Sequence, residues 1–521
     1  MTDRDLDRVG LAEIIGALSL GIDLGFNQPM EHVLRQCFIA LRLADELDLD
    51  AEARSVVYYT ALLTNVACHT DAHEQAKWFG DDIAMKSDKY AFDGLHGVRP
   101  ALAGFRRLGS GQPLLRRFRL GLEFALGGYR EVAAMIDNHA EMARTLAADI
   151  GLPTPVQDAV GAAYEQWDGK GWPGERKGED VPIAARVSEF AEFIEVAYRT
   201  KGVDGARALA RKLSGNQVDP TVAACFEDNA DAIVRDLSQE STWHDVIVAE
   251  PSLAKPLSAV DLDKALRAIA DHVDLKSPYF VGHARGVGEL VRDAGVTLGL
   301  DTDARTLVYR AALVQGLGRL GVSNAILDKN GALGTGERER VRLQPYLTER
   351  ILRQSDALAP IGALAAQVRE RLDGSGYPRG LRGDALGMPA RVLAAADVYQ
   401  AMIEPRPYRD ARAADEAAAE LRREVRAGRF DGDAVEAVLV AAGHRRQARP
   451  ERPAGLTERE VDVLRLLSLG KSSKEIAAAL VISPKTARNH IEHIYVKTGA
   501  TSRVNASMFA LRNGLLSEGA A

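Results

Sequence analysis

The chain holds only eleven histidines in 521 residues, and several stand where they could do chemistry. The segment "CHTDAHE" places His69, Asp71 and His73 at alternate positions. Imidazole and carboxylate donors at this density suit a single metal ion with nitrogen and oxygen ligands. His32 and His139 could complete that set. The alternative is a surface turn of polar residues, with His32 and His139 in the core. A second concentration of functional groups lies at "SPKTARNHIEHIYVK", where Lys485, Thr486, Arg488, Asn489 and His490 crowd the start of a helix. Cationic and amide side chains on one helix are the means by which proteins reach phosphates and base edges.

The elements that must position these groups are helices. Apolar residues three and four apart recur in "HVLRQCFIALRLADEL" and "EREVDVLRLLSLG". Long alternating strand patterns are scarce, so the chain reads as all-α. It also repeats itself. "LDLDAEARSVVYYTALL" (47–63) matches "LGLDTDARTLVYRAALV" (298–314) at an offset of 251, which pairs His32 with His283. "YEQWDGKGWP" (164–173) matches "RERLDGSGYP" (369–378) at an offset of 205, which pairs His139 with Gln344 and Glu192 with Asp397. The first copy is therefore 46 residues longer between the two matches. The expected layout is a first module over 1–240 with an insertion at about 66–137, and a second over 257–443.

The second copy resembles the HD-GYP family across nearly its whole length. The resemblance rests on "SPYFVGHARGVGEL", "AALVQGLGRLGVSNAILDKNGAL", "QPYLTERIL", "RERLDGSGYPRGLRGDAL" and "ARVLAAADVYQAMIEPRPYR". It implies an all-α phosphohydrolase fold and hydrolysis of cyclic di-guanylate at two or three metal ions. Those metals would lower the pKa of a bound water and neutralise phosphate. His283 and Asp397 match the first and last ligands. Gln315-Gly316 replaces the central His-Asp, Gln344 the next His, and Val368-Arg369 the paired His. In the first copy His32, His139 and Glu192 occupy ligand positions, but Thr64-Asn65 and Ala163-Tyr164 do not match. The expectation is a pseudo-phosphohydrolase with no catalytic residues and no assigned cofactor, a metal in the first module being the alternative. His32, His69, Asp71, His73, His139, Glu192, His283 and Asp397 remain as a residual metal or ligand pocket. Asp168 and Asp373 are expected to cap turn amides. Arg319 and Lys329 read as solvated surface charges.

A basic, proline-containing stretch over 444–455 reads as a linker, and 456–521 as a separate module. Thr457 with Glu460 and Ser472 with Glu475 are capping boxes, and Ser483 precedes Pro484 as an N-cap. Two short helices joined by "VIS" form a helix-turn-helix. The whole module resembles the LuxR-type C-terminal DNA-binding domain, carried by "LTEREVDVLRLL", "EIAAAL", "SPKTARNHI" and the spaced Lys, Gly and Arg that follow. Lys485, Arg488 and Asn489 are the expected groove readers, flanked by Thr486 and His490. Lys474 and Lys497 are assigned to phosphate or solvent, and Arg503 to carbonyl capping or DNA backbone. The resemblance implies pairing of protomers through a fourth helix, whose apolar stripe is Val504, Met508, Leu511 and Leu515; packing of that stripe back onto its own domain is equally economical.

Composition agrees with a split role. The net charge is −7, yet residues 451–521 carry +3. That favours local rather than global attraction to DNA. Three scattered cysteines suggest reduced thiols in a cytoplasm. The N-terminus is no signal peptide, and no apolar run is long enough for a membrane span. The expected protein is a homodimeric transcription regulator of double-stranded DNA, its tandem helical region sensing an unknown small molecule or dimerising. The alternative is a metal-dependent phosphodiesterase of cyclic di-guanylate or a nucleotide, targeted to DNA.

Overall fold

The computed structural model describes residues 9–88, 108–109, 114–124, 126, 129–237, 242–250, 256–445, 453–513 and 515–516. The chain forms two compact units, 1–445 and 446–521. Among the described residues the only β pairing is isolated bridges such as Gly10 with Pro256, so the all-α expectation is met. None of the described helices is long and apolar enough to cross a membrane.

Within the large unit, the two sequence copies fold alike down to individual hydrogen bonds. Helices His32–Glu46 and His283–Thr297 are both entered through a left-handed residue, Glu31 (φ 73°) and Gly282 (φ 79°). The Asp23 carboxylate accepts from the Val33 amide (3.1 Å), and Asp274 accepts from the Ala284 amide (2.8 Å). The next helices, Ala51–Leu63 and Thr302–Val314, are N-capped by Asp50 and Asp301, each 2.8 Å from the third helical amide. Such caps stabilise by about 1 kcal/mol apiece. Long helices Ile183–Leu213 and Met388–Ile403 then carry Glu192 and Asp397 past the histidines.

The two glycine-rich turns are built around a buried glutamate that the sequence reading left unexplained. Glu165 accepts from the amides of Gly174 (3.1 Å), Glu175 (2.8 Å) and Arg176 (3.2 Å). Glu370 accepts from Arg379 (2.7 Å) and Leu381 (2.9 Å). Asp168 and Asp373 cap Lys170 and Ser375 amides as expected. A Cβ on Gly376 would lie 2.5 Å from backbone atoms of residues 369–371, so the close approach requires glycine.

Apolar side chains of both halves merge into one core. The insertion adds helices Ala72–Phe79, Asp82–Asp88 and Leu114–Glu123, and leads into helix Tyr129–Asp149. Its residue Asp82 is 0% exposed and reaches the second half. There it meets Lys276 Nζ (3.2 Å), Ser323 Oγ (2.8 Å) and the Asn324 amide (2.7 Å), besides its own Lys86 (3.2 Å).

The small unit packs helices Glu458–Ser468, Ser473–Leu480, Pro484–Thr498 and Arg503–Arg512 around Leu464, Ile476, Ala487, Ile494, Ala506 and Ala510. Both expected capping boxes are present, and Ser483 Oγ accepts from the Thr486 amide (3.0 Å). Most of the expected linker, 446–452, lies outside the described residues.

Candidate functional site

In the first half, the helix starts and the long helix bring His32, Asn65, Glu192, Glu195 and Tyr164 into one buried cluster. His32 Nδ1 is 2.6 Å from Glu195, which also holds Arg35 (2.7 Å) and Arg199 (3.2 Å). Burial works against a charged imidazole, but Glu195, Asp23 and Glu192 together outweigh it and raise the His32 pKa. Asn65 donates to Glu192 (2.6 Å) and accepts from the Tyr164 hydroxyl (2.7 Å), which also contacts Cys68 Sγ (2.8 Å). His139 pairs with Asp71, and its ring stands 6.3 Å from that of Tyr164. Below the cluster, burial pushes the Asp23 carboxyl up to about 7.

The donors expected from "CHTDAHE" do not converge. His69 is buried against the second half, with Nε2 2.8 Å from the His272 carbonyl and the two rings edge to face. Burial lowers both imidazole pKa values, His272 to about 4. His73 Nδ1 instead meets Asp328 (2.9 Å). Only Asp71 turns toward His139. His69 ends one short helical turn, Asp71 precedes the next helix and His73 lies within it, and each finds a partner more than 60 residues away.

In the second half the retained pair meets: His283 Nε2 lies 3.2 Å from Asp397, and Nδ1 lies 2.8 Å from Glu404. The side chain at the lost His position completes the cluster. Arg369 sits 2.7 Å from the other Asp397 oxygen. Burial opposes the Asp397 charge, but Arg369 and His283 hold its pKa well below the carboxylate range. Arg319 corrects the surface reading. Its side chain is 5% exposed, bonds Asp274 (2.7 Å), and lies 3.8 Å over the Phe280 ring. A Cβ at position 316 would stand 3.4 Å from the guanidinium, an ordinary van der Waals contact. Gln315 and Val368 are buried. Lys329 remains partly exposed, tied to Glu337 (2.7 Å).

In the small unit, Lys485, Thr486, Arg488 and Asn489 are exposed on one helix, with His490 half-buried and Ala487 turned into the core. Lys474 is exposed on the preceding helix. Lys497 is engaged by Glu460 (2.7 Å) and the Gly455 carbonyl (3.2 Å). Arg503 bonds the Leu467 carbonyl (2.8 Å) and the Lys471 carbonyl (2.5 Å). These two cations therefore brace the fold.

Comparison with known proteins follows the same division. The HD domain pattern matches residues 267–434, and that of bacterial regulatory proteins of the luxR family matches 454–510. The chain is 33% identical over 311 residues to 3'3'-cGAMP-specific phosphodiesterase 1 of Vibrio cholerae, covering 55% of this chain and 69% of that protein. The chain belongs to the HD-domain phosphodiesterase family. It is also 28% identical over 412 residues to 3'3'-cGAMP-specific phosphodiesterase 3 of the same organism, covering 78% of this chain and 90% of the relative. The crystal structure of the V. cholerae cyclic GMP-AMP-specific phosphodiesterase V-cGAP3 shares the fold, with a TM-score of 0.58 at 24% identity over 84% of this chain and 98% of that one.

These relatives overturn the expectation that the HD region is a pseudo-phosphohydrolase. Ligand losses were counted against the motif of the cyclic di-guanylate enzymes. The HD proteins that match at greater length are phosphodiesterases named for a different cyclic dinucleotide. Ligand positions lost in both halves do not decide the activity of a chain that is similar over 412 residues to a phosphodiesterase. The metal question is separate. Among the described residues no three His, Cys, Asp or Glu side chains are grouped to hold a metal ion. Arg369 faces the last ligand position of the second half, and the first-half donors are divided between two pairs. As arranged, neither half fits a two-metal centre.

Proposed function

We propose that this HD-family chain is a cyclic-dinucleotide phosphodiesterase joined to a DNA-binding domain, with 3'3'-cGAMP the first substrate to test. The carrying observation is the extent of similarity to phosphodiesterase 3. At 412 residues it exceeds either HD half and therefore includes parts of both. In this reading the first-half cluster carries the reaction. His32 is hydrogen-bonded to Glu195, and His139 lies against Asp71; two imidazoles beside carboxylates suit proton transfer. Asn65, Tyr164 and Glu192 fix the polar wall beside them. The test is turnover by the purified full chain, with and without added divalent metal, followed by chromatography of the nucleotide products. Linear dinucleotide from 3'3'-cGAMP or cyclic di-guanylate supports the proposal, and intact substrate under every condition rejects it.

The DNA-binding part rests on the exposed side chains of helix Pro484–Thr498. Lys485, Arg488 and Asn489 have no side-chain partner among the described residues and face outward at a helix start. The proposed partner is double-stranded DNA, bound by a homodimer in the cytoplasm. Val504, Met508 and Leu511 are exposed on the fourth helix, which leaves an apolar strip available for a second protomer. A promoter-fragment mobility shift that weakens with salt tests the DNA contact. Equilibrium sedimentation tests the dimer.

A further inference from the structure

The mismatch between the second HD half and a metal centre has a positive side. The site keeps its carboxylate and imidazole, Asp397 and His283, but its cations are now covalent parts of the chain. Arg319 is consumed by Asp274 and Phe280. Arg369 is different. One nitrogen rests on Asp397, while its side chain is 29% exposed and no second carboxylate contacts it among the described residues. A guanidinium has five N–H donors, so most remain for a ligand. Asp397 is 1% exposed and pairs with the group by charge from beneath.

The surroundings narrow the ligand class. Lys329 and Arg379 are neutralised by Glu337 and Glu349. Arg342 is exposed and lies 5.0 Å over the Tyr377 ring, with no carboxylate partner among the described residues. The Tyr377 amide donates to the Arg369 carbonyl (3.1 Å), which sets the two residues side by side, and Tyr408 is 62% exposed. Two available guanidiniums beside aromatic faces suit a phosphate attached to a planar ring system.

We propose that the second HD half is a metal-independent binding site for a phosphorylated nucleotide, with Arg369, seated on Asp397, supplying the charge that a metal would otherwise supply. The site binds and does not need to hydrolyse, so it stands apart from the phosphodiesterase proposal. Because the charge is built in, chelators leave it intact.

The test is isothermal titration of the full chain, dialysed against EDTA, with 3'3'-cGAMP, guanosine monophosphate and inorganic phosphate as separate probes. Product formation is followed in the same samples. Saturable binding of at least one probe in EDTA is expected, weakened tenfold or more by Arg369→Ala and less by Arg369→Lys. Arg350→Ala, which removes an exposed arginine outside the cluster, should leave it unchanged. Which probe binds distinguishes a cyclic dinucleotide from a mononucleotide or free phosphate. If Arg369→Ala does not fold by circular dichroism, Arg369→Lys and Arg342→Ala carry the test, each with an expected loss of at least threefold. Binding of no probe, binding only with divalent metal, or equal binding by the arginine variants overturns the proposal. Absence of turnover with chelator-resistant binding intact removes only the phosphodiesterase reading.

Discussion

Asp82→Asn should be among the most damaging single substitutions in the large unit, although it lies in an insertion. Both Asp82 and Lys276 are 0% exposed, and Asp82 also accepts from Ser323, the Asn324 amide and Lys86. Removing one member of a buried ion pair costs about 3–5 kcal/mol, because the remaining charge is left in a poor medium. Asn can still accept one hydrogen bond, so the separate penalty of about 1–3 kcal/mol for an unsatisfied amide need not be added in full. The charge term decides the outcome, and it is bounded by the escape open to Lys276. Burial already lowers its pKa to about 8 despite Asp82. Without Asp82 the folded pKa falls further, and the lysine sheds its proton near neutrality. The unfolded lysine titrates near 10.5, so through this window the unfolded state binds more protons. Stability attributable to Lys276 therefore rises with pH, and the variant's deficit narrows from pH 7 to pH 9. Denaturant unfolding at both pH values, with Lys276→Met and the double variant, measures this. The expectation is a loss of about 3 kcal/mol or more at pH 7, with part of it recovered when Lys276→Met removes one of the two stranded charges, Lys86 being the other. A loss under about 1 kcal/mol, or no recovery in the double variant, would refute the reasoning.

Other outcomes follow from single contacts. Asp23→Asn keeps an acceptor for the Val33 amide. The folded carboxyl, raised to about 7 from 3.8, stabilises below pH 4 and loses that contribution as pH rises to 7. The variant should therefore gain relative stability with rising pH, read by thermal melts from pH 5 to 8. Arg488→Ala should weaken specific DNA binding by about 1–3 kcal/mol if it reads a base, or lower the salt slope by about one if it contacts phosphate. Fluorescence anisotropy over a salt series separates the two. Lys497→Ala should lower the small unit's melting temperature through loss of the Glu460 contact, with a smaller effect on salt dependence than Lys485→Ala. Ser483→Ala should cost about 1 kcal/mol in unfolding of that unit, the loss of one N-cap.

What was legible in the sequence were features defined by neighbours in sequence. Capping boxes, the Ser483-Pro484 start and the Asp168 and Asp373 turns all act within a few residues, and each formed as read. The repeat was legible because rare residues matched in order. The destinations of His69 and His73 were not, since each meets a partner about 200 residues or more away. Arg319 looked like a surface charge because periodicity gives a direction and says nothing of an aromatic ring and a carboxylate arriving from other helices. Glu195 carried no signal beyond one helical turn from Glu192, yet it orients His32.

The Asp82–Lys276 contact makes the insertion a latch between the two halves. An acid carried by one copy neutralises a lysine sealed in the other, so a substitution at either end is felt in both. The extra length of the first copy thereby couples the stability of two halves that are otherwise built alike.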